Sequence, residues 1–280
     1  MTTLPDPPIL ESAAERLRNE LSALIESIDE LRSRIGPLLA ARYQAALGRL
    51  ELQLLELQIE VQSMLRRAEF LQSHINRGEP VTAANLTEIE ERIGSKLADW
   101  RRQMVAQEQA LTEAQQLLSG VTFADVDEAK RVKAAYRRLA RWLHPDASPE
   151  NGDLFEKYWP AVQDAYLRLD AVLIEALLHL VEHALSERDN KLPAADTADE
   201  IDRLRVLVFA HAERLARLKA EPPHCYADLL NDDHWVADRQ SKLEGAIAAE
   251  SGRLAQLVIR QAELLAHLGI DRRISGGGLS

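Results

Sequence analysis

Lys130-Arg131-Val132-Lys133-Ala134-Ala135-Tyr136-Arg137-Arg138-Leu139-Ala140-Arg141-Trp142-Leu143-His144-Pro145-Asp146 decides how the chain is read. Lys130, Lys133, Arg137 and Arg141 recur three or four residues apart and share one face of a helix, while Val132, Tyr136, Leu139 and Leu143 share another. Arg131 and Arg138 add to the charge, and no acid interrupts the run, so the spacing predicts an amphipathic helix with a cationic face. On charge alone that face is as well explained by solvation as by a partner. Pro145 disfavours helical geometry at the residue before it, so the helix ends at His144 and the following residues form a loop. The proline ring also fixes its own φ and narrows where Asp146 can point. An imidazole and a carboxylate flanking a proline make a stiff polar knuckle, and Asp146 can accept a charge-assisted hydrogen bond from a partner's guanidinium.

Outward from this stretch the chain is helical heptad sequence. Leu10, Ala14, Leu17, Leu21, Leu24, Ile28, Leu31 and Ile35 form one apolar stripe, and Gly36-Pro37 is expected to stop or sharply kink it. A second stripe, out of phase with the first, runs through Tyr43, Leu47, Leu50, Leu54, Leu57, Val61, Met64, Ala68, Leu71 and Ile75 and ends at Arg77-Gly78-Glu79-Pro80. Asn85 and Glu88 suggest a capping box for a third helix, striped from Leu86 through Ile93, Leu97 and Trp100 to Leu118. Three such helices with short breaks predict an antiparallel hairpin or coiled-coil arm over residues 1–119. Their stripes fit intramolecular core or a homodimer seam, and periodicity alone does not separate the two.

Downstream, residues 162–185 read as one long helix and 187–195 as a loop. Thr197 with Glu200 signals another cap, followed by the stripe Ile201, Leu204, Val208, His211, Leu215 and Leu218. Pro222-Pro223 separates this from a last helix carrying Leu243, Ile247, Leu254, Leu257, Leu264 and Leu268, so residues 196–270 read as a C-terminal helical hairpin and 271–280 as a flexible tail. Strand-like alternation is absent. The expected class is all-α, with elongated coiled-coil arms flanking a central helical hairpin at 120–187.

Composition bounds the function. The 280 residues are 46% hydrophobic and only 5% aromatic, which favours helices over sheets. A net charge of -11 argues against a nucleic-acid-binding surface over the whole protein. The single cysteine, Cys225, excludes an intrachain disulfide and a cysteine-rich zinc module. No secretory signal is read at the N-terminus, and the most apolar segment, 171–185, is too short and too polar to span a bilayer, so the expected location is cytoplasmic. His179-Leu180-Val181-Glu182-His183 matches the H-x-x-E-H zinc pattern, but it lacks a third ligand and the mixed α/β setting of such enzymes. His224, Cys225 and His234 are a looser group. Neither is taken as a metal site, and no cofactor loop, nucleophile elbow or catalytic carboxylate pair stands out.

Ala135-Tyr136-Arg137-Arg138-Leu139-Ala140 followed by His144-Pro145-Asp146, and then Trp159, Val162, Ala165, Tyr166 and Leu169, resembles the second helix, loop and third helix of the J-domain of DnaJ-type co-chaperones. The resemblance spans residues 126–169 and rests on both halves together. It implies an antiparallel helical finger whose tip docks on a DnaK-type heat-shock chaperone and stimulates its ATP hydrolysis, with no catalysis by the chain itself. By position, His144, Pro145 and Asp146 would be the trigger, and Lys130, Lys133, Arg137, Arg138 and Arg141 the docking surface. Leu117-Leu118-Ser119-Gly120-Val121 only echoes the family's first helix, Ala147-Ser148 replaces a frequent basic residue, and Pro160 implies a late start or a kink in the third helix. Without Gly/Phe-rich or zinc-binding regions, the chain resembles specialised family members. The alternative is a helical scaffold or adaptor using the same hairpin only for packing.

Overall fold

The computed structural model describes residues 7–120, 126–186 and 198–269, and among them every regular element is helical. The chain divides into two compact units, Met1–Ala40 with Gly120–Ala227, and Ala41–Ser119 with Asp228–Ser280. Both the expected arm at 1–119 and the expected C-terminal hairpin at 196–270 are therefore split between units. The expected loop at 187–195, cap at Thr197 and tail at 271–280 lie outside the described residues.

The first unit contains α1 (Pro7–Glu30), α6 (Val126–Leu143), α7 (Gly152–Arg168), α8 (Ala171–Ser186) and α9 (Ala198–Ala220). The boundary between the units falls within α2 (Gly36–Tyr43), whose last residues open the second unit, followed there by α3 (Arg49–Arg77), α4 (Ala83–Lys96), α5 (Ala98–Gly120) and α10 (Asp233–His267).

Gly36-Pro37 does not end a helix. A π-helical segment, Leu31–Ile35, leads directly into α2, and the Gly36 N–H reaches back to the Leu31 carbonyl. The wider π turn accommodates the proline's missing donor and its ring without a break. Gly78 caps α3 as expected: at φ 66 it donates to Ile75, and Glu79 donates to His74, which together make a Schellman closure. The cap of α4 sits one turn earlier than expected. Thr82 accepts from the Asn85 backbone and the Asn85 side chain accepts from the Thr82 backbone, so Asn85 is the third helical residue rather than the cap. The expected third helix is also broken at Leu97, where φ -101 and ψ 7 leave helical geometry.

In the second unit α3 lies between two partners. Ile59 packs with Ile89, Ile93 and Leu97 of the α4 side, while Ala68 and Leu71 pack with Leu264 and Leu265 of α10. Gln240 donates to the Ala46 carbonyl at 2.9 Å, so α3 and α10 run parallel. A parallel pair cannot be joined by a short turn, and the principal partner of α3 is therefore remote in sequence.

The first unit is built the same way. Arg18 of α1 meets Glu200 near the start of α9, and His224 just beyond α9 lies 2.8 Å from the Leu31 carbonyl, so α1 and α9 are parallel. Helices α6, α7 and α8 form an up-down-up set. The expected continuous helix at 162–185 is interrupted at Leu169, which takes the left-handed conformation at φ 56, and Asp170 then caps α8 by accepting from Leu173. One core holds the unit together: Ala14, Leu21 and Ile25 of α1 join Val132, Tyr136, Leu139 and Leu143 of α6, Trp159, Val162 and Tyr166 of α7, Ile174 and Val181 of α8, and Ile201 and Leu204 of α9. Pro160 lies inside α7, which starts at Gly152, so the helix does not start late. It faces solvent, where water can satisfy the carbonyl that its ring leaves unbonded.

Candidate functional site

Asp127 and Glu128 occupy the first turn of α6 and Arg141 the last, the arrangement the helix dipole favours. Tyr136, fully buried, lies 4.1 Å from Tyr166 and 5.4 Å from Trp159 between ring centroids, while His144, one helix end later, faces Trp159 and Phe155 at 5.8 Å each. Positions advancing along α6 thus meet positions receding along α7, so the two helices are antiparallel and residues 144–148 form the tip between them.

The tip is fixed by groups that the sequence reading passed over. Ser148 Oγ donates to the Arg141 carbonyl at 2.9 Å and Asn151 Nδ2 to the Trp142 carbonyl at 2.9 Å, satisfying two acceptors that the end of α6 leaves open. The Ala147 and Ser148 N–H groups both donate to the His144 carbonyl. Ser148 and Asn151 are themselves buried, so these bonds are shielded from water. A polar residue three after another just beyond a helix end was the available signal.

Within the tip, the Asp146 N–H donates to His144 Nδ1 at 3.2 Å, which leaves the ring proton on Nε2. Burial holds the His144 pKa below the ordinary histidine value; the neighbouring Asp146 opposes that shift and His211 adds to it. The 3.8 Å approach of His144 Nδ1 to the Asp146 carboxylate is therefore not an ion pair at neutral pH, because the ring is uncharged there. Pro145 is exposed and Asp146 half-buried. Two residues of α9 reach over: Arg203 donates to the Asp146 carbonyl at 3.3 Å, and His211 Nε2 stands 3.4 Å from its carboxylate. Arg203 is held in turn by both oxygens of Glu200.

The cations of α6 do not form one open face. Lys133 meets Glu30 at 2.5 Å, Arg137 meets Glu26 at 2.7 Å, and Arg141 meets Glu15 at 3.1 Å and Asn19 at 2.9 Å, so three of them lie along α1. Arg131 and Arg138 turn to the other side, toward Glu175 and Glu182 of α8, and Arg138 stacks over Trp142. Lys130 pairs within its own helix with Asp127. Glu26 is buried and also takes the Tyr166 hydroxyl at 3.4 Å, while Tyr136 donates to Asp29 at 2.5 Å. Burial pushes both phenols far above their ordinary range, and the facing carboxylates push further in the same direction. The carboxylates of α1 were missed because only its apolar stripe was read. Glu15, Asn19, Glu26 and Glu30 repeat at helical spacing and mirror the cations of α6.

The other candidates fall elsewhere. His179 is exposed on α8 beside Glu182, whose carboxylate is engaged by Arg138, and among the described residues no group of three or more His, Cys, Asp or Glu could hold a metal ion. His224 is buried against the Leu31 carbonyl. Among the described residues, no helix is long and apolar enough to cross a membrane. Compared with protein-family models, with curated proteins and with solved structures, the chain matches none.

Proposed function

We propose that the chain is a J-type co-chaperone, acting in the cytoplasm, that presents His144, Pro145 and Asp146 to a DnaK-type heat-shock chaperone and stimulates its ATP hydrolysis. The observation that carries this reading is the joint placement of the tripeptide at the turn between two antiparallel helices and of the Tyr136–Tyr166–Trp159 cluster that holds those helices together. A trigger needs a tip whose geometry is set before the partner arrives, since ordering it on contact would cost affinity. Ser148, Asn151 and the doubly bonded His144 carbonyl provide that order. The exposed proline and half-buried carboxylate are the groups a partner can touch. Binding is tested by titrating a labelled DnaK-type ATPase domain, in its ATP state, with native chain and with Asp146→Asn. Saturable binding weakened by the substitution supports the reading, and equal curves refute it.

A second reading has one specific observation in its favour: every cation of α6 already has an acidic partner in the same chain. Under it the hairpin is packing material in a helical scaffold, and substitutions at the tip change stability without changing chaperone binding.

A further inference from the structure

The geometry points to a built-in cover: α1 is an internal acidic ligand of the α6 basic face, its partner α9 closes on the tip with basic side chains, and an acidic partner surface must displace the pair to dock. This rests on the co-chaperone reading above and adds regulation to the same site. On one side Glu15, Glu26 and Glu30 of α1 hold Arg141, Arg137 and Lys133 of α6. On the other, Arg203 and His211 of α9 close on Asp146. Both halves of the proposed docking surface are thus occupied at once, by two helices that pack more extensively on each other than α1 packs on α6. The Arg18–Glu200 bond ties the halves together near the tip, so they can act as one body.

The chemistry of the displacement is an exchange of carboxylates. Lys133 and Arg141 are about one-third exposed and Arg137 about half, at 34%, 31% and 54%, so these cations keep solvent access while bonded to α1. An incoming acidic helix or strand offers the same groups to the same cations, and at Lys133 and Arg141 the net electrostatic change of the swap is small because pairs to partly exposed cations are both broken and made, whereas the buried Glu26 favours the closed state. What distinguishes the closed state is the apolar seam behind the charges: Ala14, Leu21 and Ile25 are buried in the shared core. The cover is therefore closed in the free chain. The apparent affinity for a chaperone is reduced by the fraction of time it is open, and a second ligand that drew α1 or α9 away would raise activity without touching the tip.

The test uses the full chain in native form, as Glu15→Lys/Glu30→Lys, which turns two attractions into repulsions, and as Arg203→Ala/His211→Ala, which releases the tip from α9 and leaves α1 intact. Half-saturation of ATPase stimulation in a DnaK-type chaperone is read together with amide hydrogen exchange over residues 130–151, after circular dichroism has established that each chain is folded. Each double variant is expected to shift half-saturation to about tenfold lower concentration, in line with losing two partly exposed pairs, and to speed exchange over 130–151. Unchanged half-saturation with unchanged exchange in both variants overturns the cover. If no chain stimulates the chaperone, the co-chaperone reading fails, and exchange alone decides the cover: faster exchange in the variants sustains it as a structural device, and equal exchange removes it.

Discussion

Glu26→Ala isolates the one buried carboxylate in the α1–α6 contact. Glu26 is 2% exposed and accepts from Arg137 at 2.7 Å and from the Tyr166 hydroxyl at 3.4 Å. Removing it strands two donors unequally. Arg137 is 54% exposed and can return to water, so its side of the pair is worth no more than a surface bridge, about 0.2–1 kcal/mol. Tyr166 is 2% exposed and has no such recourse; an unsatisfied buried hydroxyl costs about 1–3 kcal/mol. The sum predicts a loss of about 1–4 kcal/mol, most of it assigned to Tyr166 rather than Arg137. Glu15→Ala, which breaks a pair between a 60% exposed acid and a 31% exposed Arg141, is expected to cost under about 1 kcal/mol. Urea unfolding followed through Trp142 and Trp159, in a background with Trp100→Phe and Trp235→Phe, reports on the first unit alone. In a double-mutant cycle, Tyr166→Phe should recover most of the Glu26→Ala loss. If Glu26→Ala costs no more than Glu15→Ala, or if the cycle with Tyr166→Phe is additive, the reasoning about where the cost resides is refuted.

Other outcomes follow from the same geometry. His144 should titrate with a midpoint below 6.5 when its Cε1 proton is followed by NMR. Because its folded-state pKa is lowered, the unfolded chain binds more protons as pH falls through 6.5, so its contribution to stability is full above that value and declines below it. A midpoint at or above 6.5 would show the ring to be solvated or paired as a cation. Ser148→Ala and Asn151→Ala each orphan one carbonyl at the end of α6, and each should lower stability by about 1 kcal/mol and speed hydrogen exchange at residues 144–148; unchanged exchange would mean that the turn is held without them. Gly78→Ala places a Cβ in open space but in the left-handed region, so it should cost about 1–2 kcal/mol of stability in the second unit through backbone strain alone.

How much of this was legible in the sequence differs from element to element. Helix termini governed by local chemistry could be read directly: Gly78 closes α3, Pro222-Pro223 follows α9, and Pro145 sets the end of α6. Readings that treated a proline or a stripe as decisive by itself did not carry over. Pro37 is absorbed by the preceding π turn, Pro160 by solvent, and Leu169 breaks an apolar run through a backbone conformation that its side chain does not advertise. Pairing was the least legible feature. A heptad stripe states that a helix has a partner without stating which, and α1 and α3 chose parallel partners near the other end of the chain over their neighbours. The site shows the same limit. The tripeptide and its flanking aromatics were identified as sequence, whereas the occupancy of the basic face depended on carboxylates of α1 that only the fold brings alongside.

The most direct measurement is the single-turnover rate of ATP hydrolysis by a DnaK-type chaperone, taken at saturating concentrations of native chain and of His144→Gln. The account predicts that native chain raises the rate well above the chaperone alone and that His144→Gln does not, since the substitution removes the imidazole seated between Phe155, Trp159 and His211 and leaves the rest of the unit folded. Equal rates with the two chains, whether both raised or both unchanged, would contradict the assignment of the tip as a chaperone trigger.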